Sequence, residues 1–132
     1  MNIISIIEKL PEMQYSFPAS EEDIIKAEKE LNVVFADEYK KYLLTFGAVQ
    51  SDIIAISGII DDEDYNVVNL TKRLKLSYKN IPADFYVIED VGVDGLVIWQ
   101  SVDGTIYQSI PTSKPVKIFA SLSEFLNYQM EE

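Results

Sequence analysis

Between Ser20 and Gly47 the chain spells two short amphipathic helices in close succession, with start and stop signals in place. Ser20 suits an N-cap, Glu21, Glu22 and Asp23 put negative charge on the first turn, and Ile24, Ala27, Glu28 and Leu31 share one helical face. Asp37 offers a second N-cap, and Tyr39, Tyr42, Leu43 and Phe46 repeat at helical spacing. Gly47 is free to adopt the left-handed backbone that ends a helix. Such a pair has two apolar stripes to bury, so the rest of the chain must supply the surface that covers them.

That remainder is mostly strand-like. Ile3, Ile6, Ile7 and Leu10 predict a short N-terminal helix stopped by Pro11, followed by an irregular link through Pro18. From Ala48 to Ile60 the residues turn β-branched, and Gly58 marks a bulge or bend. An acidic loop, Asp61 to Asp64, precedes a helix carrying Val67, Val68, Leu70, Thr71 and Leu74 inward and Lys72, Arg73 and Lys75 outward. Phe85 to Ile88 and Leu96 to Val102 read as strands around a tight acidic loop punctuated by Gly92 and Gly95. Asp103-Gly104 signals a hairpin returning through Thr105 to Ile110, hence an antiparallel pair. Val116 to Phe119 predicts an edge strand, and Ser121 with Glu124 a capping box for a last helix with Leu122, Phe125, Leu126 and Gln129 inside. The expected fold is one α+β domain over residues 1–132, mainly antiparallel sheet with helices packed against it and a C-terminal helix.

Charge and missing residue types exclude several function classes. The net charge is −11, from 22 acidic and 11 basic side chains, so the surface repels phosphate backbones and favours a basic partner. Neither cysteine nor histidine is present, which removes disulfides, thiol nucleophiles, the usual zinc ligands and the commonest proton shuttle at neutral pH. The apolar stretch from Met1 to Ile7 has no basic residue before it and meets Glu8 too soon for a signal peptide. No apolar run reaches the ~20 residues of a membrane span. A cytoplasmic protein, with no nucleic acid or membrane partner and no cofactor, is the expectation.

The acidic loops invite a search for a metal. Asp62, Asp64 and Asn66 match the first positions of a calcium loop, but Val67 stands where glycine is required and Arg73 where the closing glutamate belongs. Asp90, Gly92, Asp94 and Gly95 fail similarly, with Ser101 at the last ligand position. Paired carboxylates could serve as acid and base only if they faced each other across a cleft, and neighbouring acids in a loop mostly point to water. No metal or catalytic site is therefore expected. Tyr39, Tyr42, Phe46, Phe85 and Phe125 fit the core pattern, whereas Trp99, on a hairpin strand, faces either the core or the outer sheet surface, where it would anchor an interface. The candidate partner-binding residues are Asp61, Asp62, Glu63, Asp64 and Tyr65, then Glu89, Asp90 and Asp94, and Trp99.

Taken in order, Glu21, Glu22, Ile24, Glu28, Leu31, Phe35, Tyr39, Leu43 and Gly47 resemble the opening pattern of the SUKH superfamily. Val67, Val68, Thr71 and Arg73 resemble its central short helix, and Pro82, Phe85, Val87 and Ile88 its following strand. Gly92, Asp94, Gly95, Gly104 and Tyr107 resemble its glycine-rich turn and hairpin, and Phe125 and Leu126 its closing helix. Ala36 departs from the pattern, standing where a proline is usual, and Phe46-Gly47-Ala48 replaces a more polar helix end. The resemblance implies a bacterial immunity protein that binds and neutralises a cognate toxin domain, or alternatively a regulatory interaction module like the family's fungal cell-wall-synthesis regulator. A small carboxylate-dependent hydrolase is a third reading, disfavoured by the absence of histidine and cysteine.

Overall fold

The structure is a computed structural model that describes residues 2–131. Its elements are helices α1 (Ile3–Glu8), α2 (Glu21–Leu31), α3 (Asp37–Phe46), α4 (Val67–Ser77) and α5 (Leu122–Met130). The strands are β1 (Gln14–Tyr15), β2 (Val49–Gln50), β3 (Ala55–Ile56), β4 (Tyr86–Asp90), β5 (Val97–Gln100), β6 (Ile106–Ser109) and β7 (Val116–Phe119). β1-β2-β3 and β4-β5-β6-β7 form two antiparallel sheets, so the fold is α+β as expected.

The helix pair starts and stops close to where its residues say. At the head of α2, Ser20 Oγ accepts the Asp23 N–H at 3.1 Å and Asp23 Oδ2 accepts the Ser20 N–H at 3.0 Å. That reciprocal box satisfies two of the helix's free donors. Asp37 is not the cap of α3, however. Ala36 holds that place with no side-chain bond, and Asp37 is the first helical residue, where its charge still favours the helix dipole. Ala36 sits at φ −62°, the value a proline would impose, and its N–H donates to the buried Tyr86 hydroxyl at 2.9 Å, a bond no proline could make.

Gly47 ends α3 at φ 75° and ψ −60°, and the Ala48 N–H closes a γ-turn onto the Phe46 carbonyl at 2.8 Å. A Cβ there would lie 2.0 Å from the Phe17 carbonyl oxygen. Gly58 is needed for the same close approach, since its Cβ would lie 1.8 Å from the Gly47 carbonyl oxygen. These glycines let the small sheet fold back against the end of α3. The link expected to be irregular before Pro18 contributes β1, a two-residue strand too short to carry a period.

Residues on the two faces of the larger sheet enter separate apolar clusters. One holds Leu70 and Leu74 of α4 against Phe85, Val87, Val97 and Trp99. The larger holds α1, α3 and α5 against Tyr86, Ile88, Ile98 and Ile106. Alternation along the strands sorts these residues, with one interruption, a β-bulge between Val87 and Glu89 that pairs Glu89 with Ile98 and so turns it to the face opposite Val87. Polar groups sealed between the layers are paired. The Tyr86 hydroxyl donates to Gln100 Oε1 at 2.7 Å, and Gln100 Nε2 donates to the Gly104 carbonyl at 3.0 Å. The Tyr39 hydroxyl donates to the Ser57 carbonyl at 3.0 Å, and Ser57 Oγ to the Val87 carbonyl at 2.6 Å. Burial holds the Tyr39, Tyr42 and Tyr86 hydroxyls well above the usual phenol range, so all three stay neutral donors.

The Asp103-Gly104 hairpin forms, with a three-residue loop. Gly104, at φ 93°, donates to the Ser101 carbonyl at 3.0 Å, and Ser101 N–H bonds the Thr105 carbonyl at 3.0 Å. The strand predicted through Val102 therefore stops at Gln100. At α5, Ser121 Oγ accepts the Glu124 N–H at 3.1 Å, but the Glu124 carboxylate takes the Ala120 N–H instead of completing the box. Glu38, from α3, accepts the Leu122 N–H and, at 2.8 Å, the Ser123 hydroxyl. The C-terminal helix is thus capped by a side chain from the helix pair.

Candidate partner-binding surface

The first acidic segment is presented on a tied base. Gly58 N–H bonds the Tyr65 carbonyl at 3.0 Å, Val67 N–H bonds the Gly58 carbonyl at 2.9 Å, and Asn66 Nδ2 bonds the Ile60 carbonyl at 2.8 Å. Asn66 Oδ1 meanwhile accepts the Val68 and Asn69 N–H groups at 2.9 and 3.2 Å, so it caps α4. Inside the loop, Asp62 Oδ1 accepts the Asp64 N–H at 3.0 Å and the Asp62 carbonyl accepts the Tyr65 N–H at 3.1 Å. Asp61, Asp62, Glu63 and Asp64 are all exposed. Tyr65 is half-buried and, with Tyr15 and Ile60, lines a hollow of about 230 Å³ at the root of the loop.

Arg73, the chain's one arginine, connects part of the first segment to the second. Its guanidinium lies 3.9 Å from Asp64 and 3.6 Å from Asp90. Half-exposed pairs of this kind contribute about 0–1 kcal/mol each to stability, so the bridge matters more for position than for energy. Asp94 sits exposed at φ 54° in the turn between β4 and β5. The neighbouring Gly95 carbonyl accepts the Tyr78 hydroxyl, which burial, and then the nearby Asp90 charge, raise above the usual phenol value.

Glu89 does not join this group. It is half-buried beside β3, where Glu89 Oε2 accepts the Ala55 N–H at 3.0 Å. Burial raises its carboxyl above the usual range, the Ala55 bond opposes that, and the Asp90 charge adds to it. Consecutive residues on a strand face opposite ways, so Asp90 meets Arg73 on the α4 side while Glu89 lines a groove on the other.

Trp99 is a correction. As an interface anchor it would need to be exposed, but its exposed surface is 0%. Its ring packs 6.2 Å from that of Tyr78 and 6.5 Å from that of Phe85, and its indole N–H donates to Ser109 Oγ at 2.9 Å. The strand's pleat points it at α4, where it is the largest buried side chain of that layer. Tyr39, Tyr42, Phe46, Phe85 and Phe125 are core residues as read. Among the described residues no three carboxylates are grouped so that they could hold a metal ion, and no helix is long and apolar enough to cross a membrane.

The groove that Glu89 lines has no sequence signal. About 610 Å³ in volume, it is open and mainly apolar, and runs from Glu89 on β4 past Ile98 and Gln108 to Phe119 on β7. Phe125 and Tyr128 of α5 form its wall near β7. These residues come from separate segments with no shared motif, so only their convergence reveals it.

An antiparallel sheet flanked by helices, presenting carboxylates on a braced loop, defines a domain whose exposed features suit contact with another macromolecule. Residues 2–130 match the SUKH_5 family model, described as SMI1-KNR4 cell-wall. The chain therefore belongs to the SUKH superfamily, whose members are immunity or regulatory proteins, generally without enzymatic activity, and act on a protein partner. No curated protein sequence matches the chain.

Proposed function

We propose that this chain is a cytoplasmic immunity protein that binds a cognate toxin domain and masks its active surface, making and breaking no covalent bond. The observation that carries the reading is the loop Asp61 to Asp64, with four exposed carboxylates on a hydrogen-bonded base of which, among the described residues, Asp64 alone has an ion-pair partner, Arg73 at 3.9 Å. A loop braced in this way needs little ordering on binding, and its charge, within a net −11, attracts a basic surface. A toxin acting on nucleic acid would present such a surface, because it must hold a phosphate backbone.

Capture of the copurifying protein from the native host, followed by stopped-flow association at several salt concentrations, tests the surface. The variant with Asp61→Asn, Asp62→Asn, Glu63→Gln and Asp64→Asn should associate more slowly and with a flatter salt dependence, since steering is screened beyond ~8 Å at physiological ionic strength. Unchanged kinetics would remove this loop from the interface. The cell-wall description of the matching family favours a second reading, a regulatory module holding endogenous partners together. Co-expression separates the two: an immunity protein rescues cells from one particular toxin domain, and a scaffold rescues them from none.

A further inference from the structure

The groove between α5 and the larger sheet has three properties that together specify an occupant. At its β4 end is Glu89, with one carboxylate oxygen on the Ala55 N–H; the other has no partner among the described residues, yet is not sealed from solvent. Every ion pair of the described residues leaves Glu89 out, although the adjacent Asp90 has Arg73. At the β7 end, Phe119 packs against Phe125 and Tyr128 with ring centres 5.7 and 5.2 Å apart, and Tyr128 is 54% exposed. Between these ends lies Gln108, whose side-chain amide has no partner among the described residues, as is also true of Gln129 in the groove wall.

A half-buried carboxylate without a cation raises the free energy of its own charged form, and an incoming ammonium or guanidinium relieves that. Amides that both donate and accept match the peptide group, and exposed aromatic faces match apolar side chains. The groove crosses four adjacent strands, and three inter-strand gaps span about 14 Å, the length of roughly four residues of extended chain. A second copy of this chain is a poor occupant, because two molecules of net charge −11 repel.

We infer that this groove is a docking site for an extended segment of a partner protein in which a lysine or arginine lies about four residues from an apolar side chain, the cation on Glu89 and the apolar group over Phe119 and Tyr128. The inference is independent of the Asp61 to Asp64 loop, which belongs to a different surface.

A displayed library of random dodecapeptides selected on the intact chain tests it. Selection should enrich segments with that spacing, and a synthetic peptide of the enriched sequence should bind with its affinity lowered at least tenfold by Glu89→Gln. Glutamine keeps an acceptor for the Ala55 N–H, so the fold is retained. Replacing the peptide's cation with norleucine should make Glu89→Gln immaterial, which separates a direct contact from general attraction to an acidic protein. Tyr128→Ser, at an exposed side chain, reads the other end and should weaken binding several-fold; it remains informative should Glu89→Gln fail to fold. Several results would overturn the proposal: no enrichment, enriched peptides lacking a basic residue, or equal binding by wild type and both variants. So would loss of peptide binding in the Asp61 to Asp64 variant, or a dimer of this chain that competes with the peptide.

Discussion

Glu89 and Asp90 are neighbours on one strand, yet they belong to opposite faces of the sheet, and the two faces are finished differently. On the Asp90 side, α4 closes over the strands: Trp99, Phe85, Val87 and Val97 are buried under Leu70 and Leu74, the indole N–H has Ser109, and Asp90 itself has Arg73. On the Glu89 side, α1, α3 and α5 bury Tyr86, Ile88 and Ile106, but a groove is left beside α5 with an exposed aromatic edge and, among the described residues, one carboxylate oxygen and two amides without a partner. A sealed face contributes stability through complete packing and complete pairing. Unfilled hydrogen-bonding capacity at a half-open face contributes little to stability and remains available to a ligand.

Substitutions on the closed face should therefore unfold the protein and those on the open face should not. Trp99→Ala has the largest expected effect, about 3–5 kcal/mol lost in urea denaturation, because it empties the centre of the α4 layer. A loss under about 1 kcal/mol would show that this layer is not tightly packed. Next comes Ser109→Ala, which strands the buried indole N–H and should cost about 1–3 kcal/mol, with a matching blue shift of tryptophan emission if the polar contact is lost.

The smallest effect is expected for Glu89→Gln, and its size depends on pH. Burial raises the carboxyl above its ordinary value of 4.5 in the folded chain. Between the ordinary and the raised value the folded state binds more protons than the unfolded one, so stability falls as pH rises through that window. Below the window the acid is protonated in both states and the penalty disappears. The variant should match the wild type in acid and be equally or more stable at neutral pH, followed by thermal melts across the range. A neutral-pH destabilisation of several kcal/mol would mean that the Glu89 charge is structural, and the contrast between the faces would lose its basis.

Local signals in the sequence were good guides wherever they acted over a few residues. The N-cap at Ser20, the period of Tyr39, Tyr42, Leu43 and Phe46, the turn at Gly104 and the edge strand Val116–Phe119 are all where short-range rules place them. The α3 cap was misplaced by one residue because Asp37 and Ala36 compete for it, and the winner is decided by the Tyr86 hydroxyl, 50 residues away. The acidic surface was legible as composition but not as geometry. Which carboxylates gather depends on Arg73, which draws in Asp64 and Asp90, and on the bulge between Val87 and Glu89, which sends Glu89 to the other face. Trp99 was ambiguous between two faces: alternation says that neighbours differ in direction, not which direction has a helix over it.

By itself, then, the order of residues determined the helices, most of the strands, the antiparallel hairpin and the family, because helix period and turn chemistry are settled within a few peptide units. Tertiary structure alone decided that Glu38 caps a helix 84 residues further on, that Trp99 is interior, and that the groove exists. Those outcomes arise where distant segments meet. A side chain's partner and burial are properties of the surface brought against it, and no local stretch of chain encodes that surface.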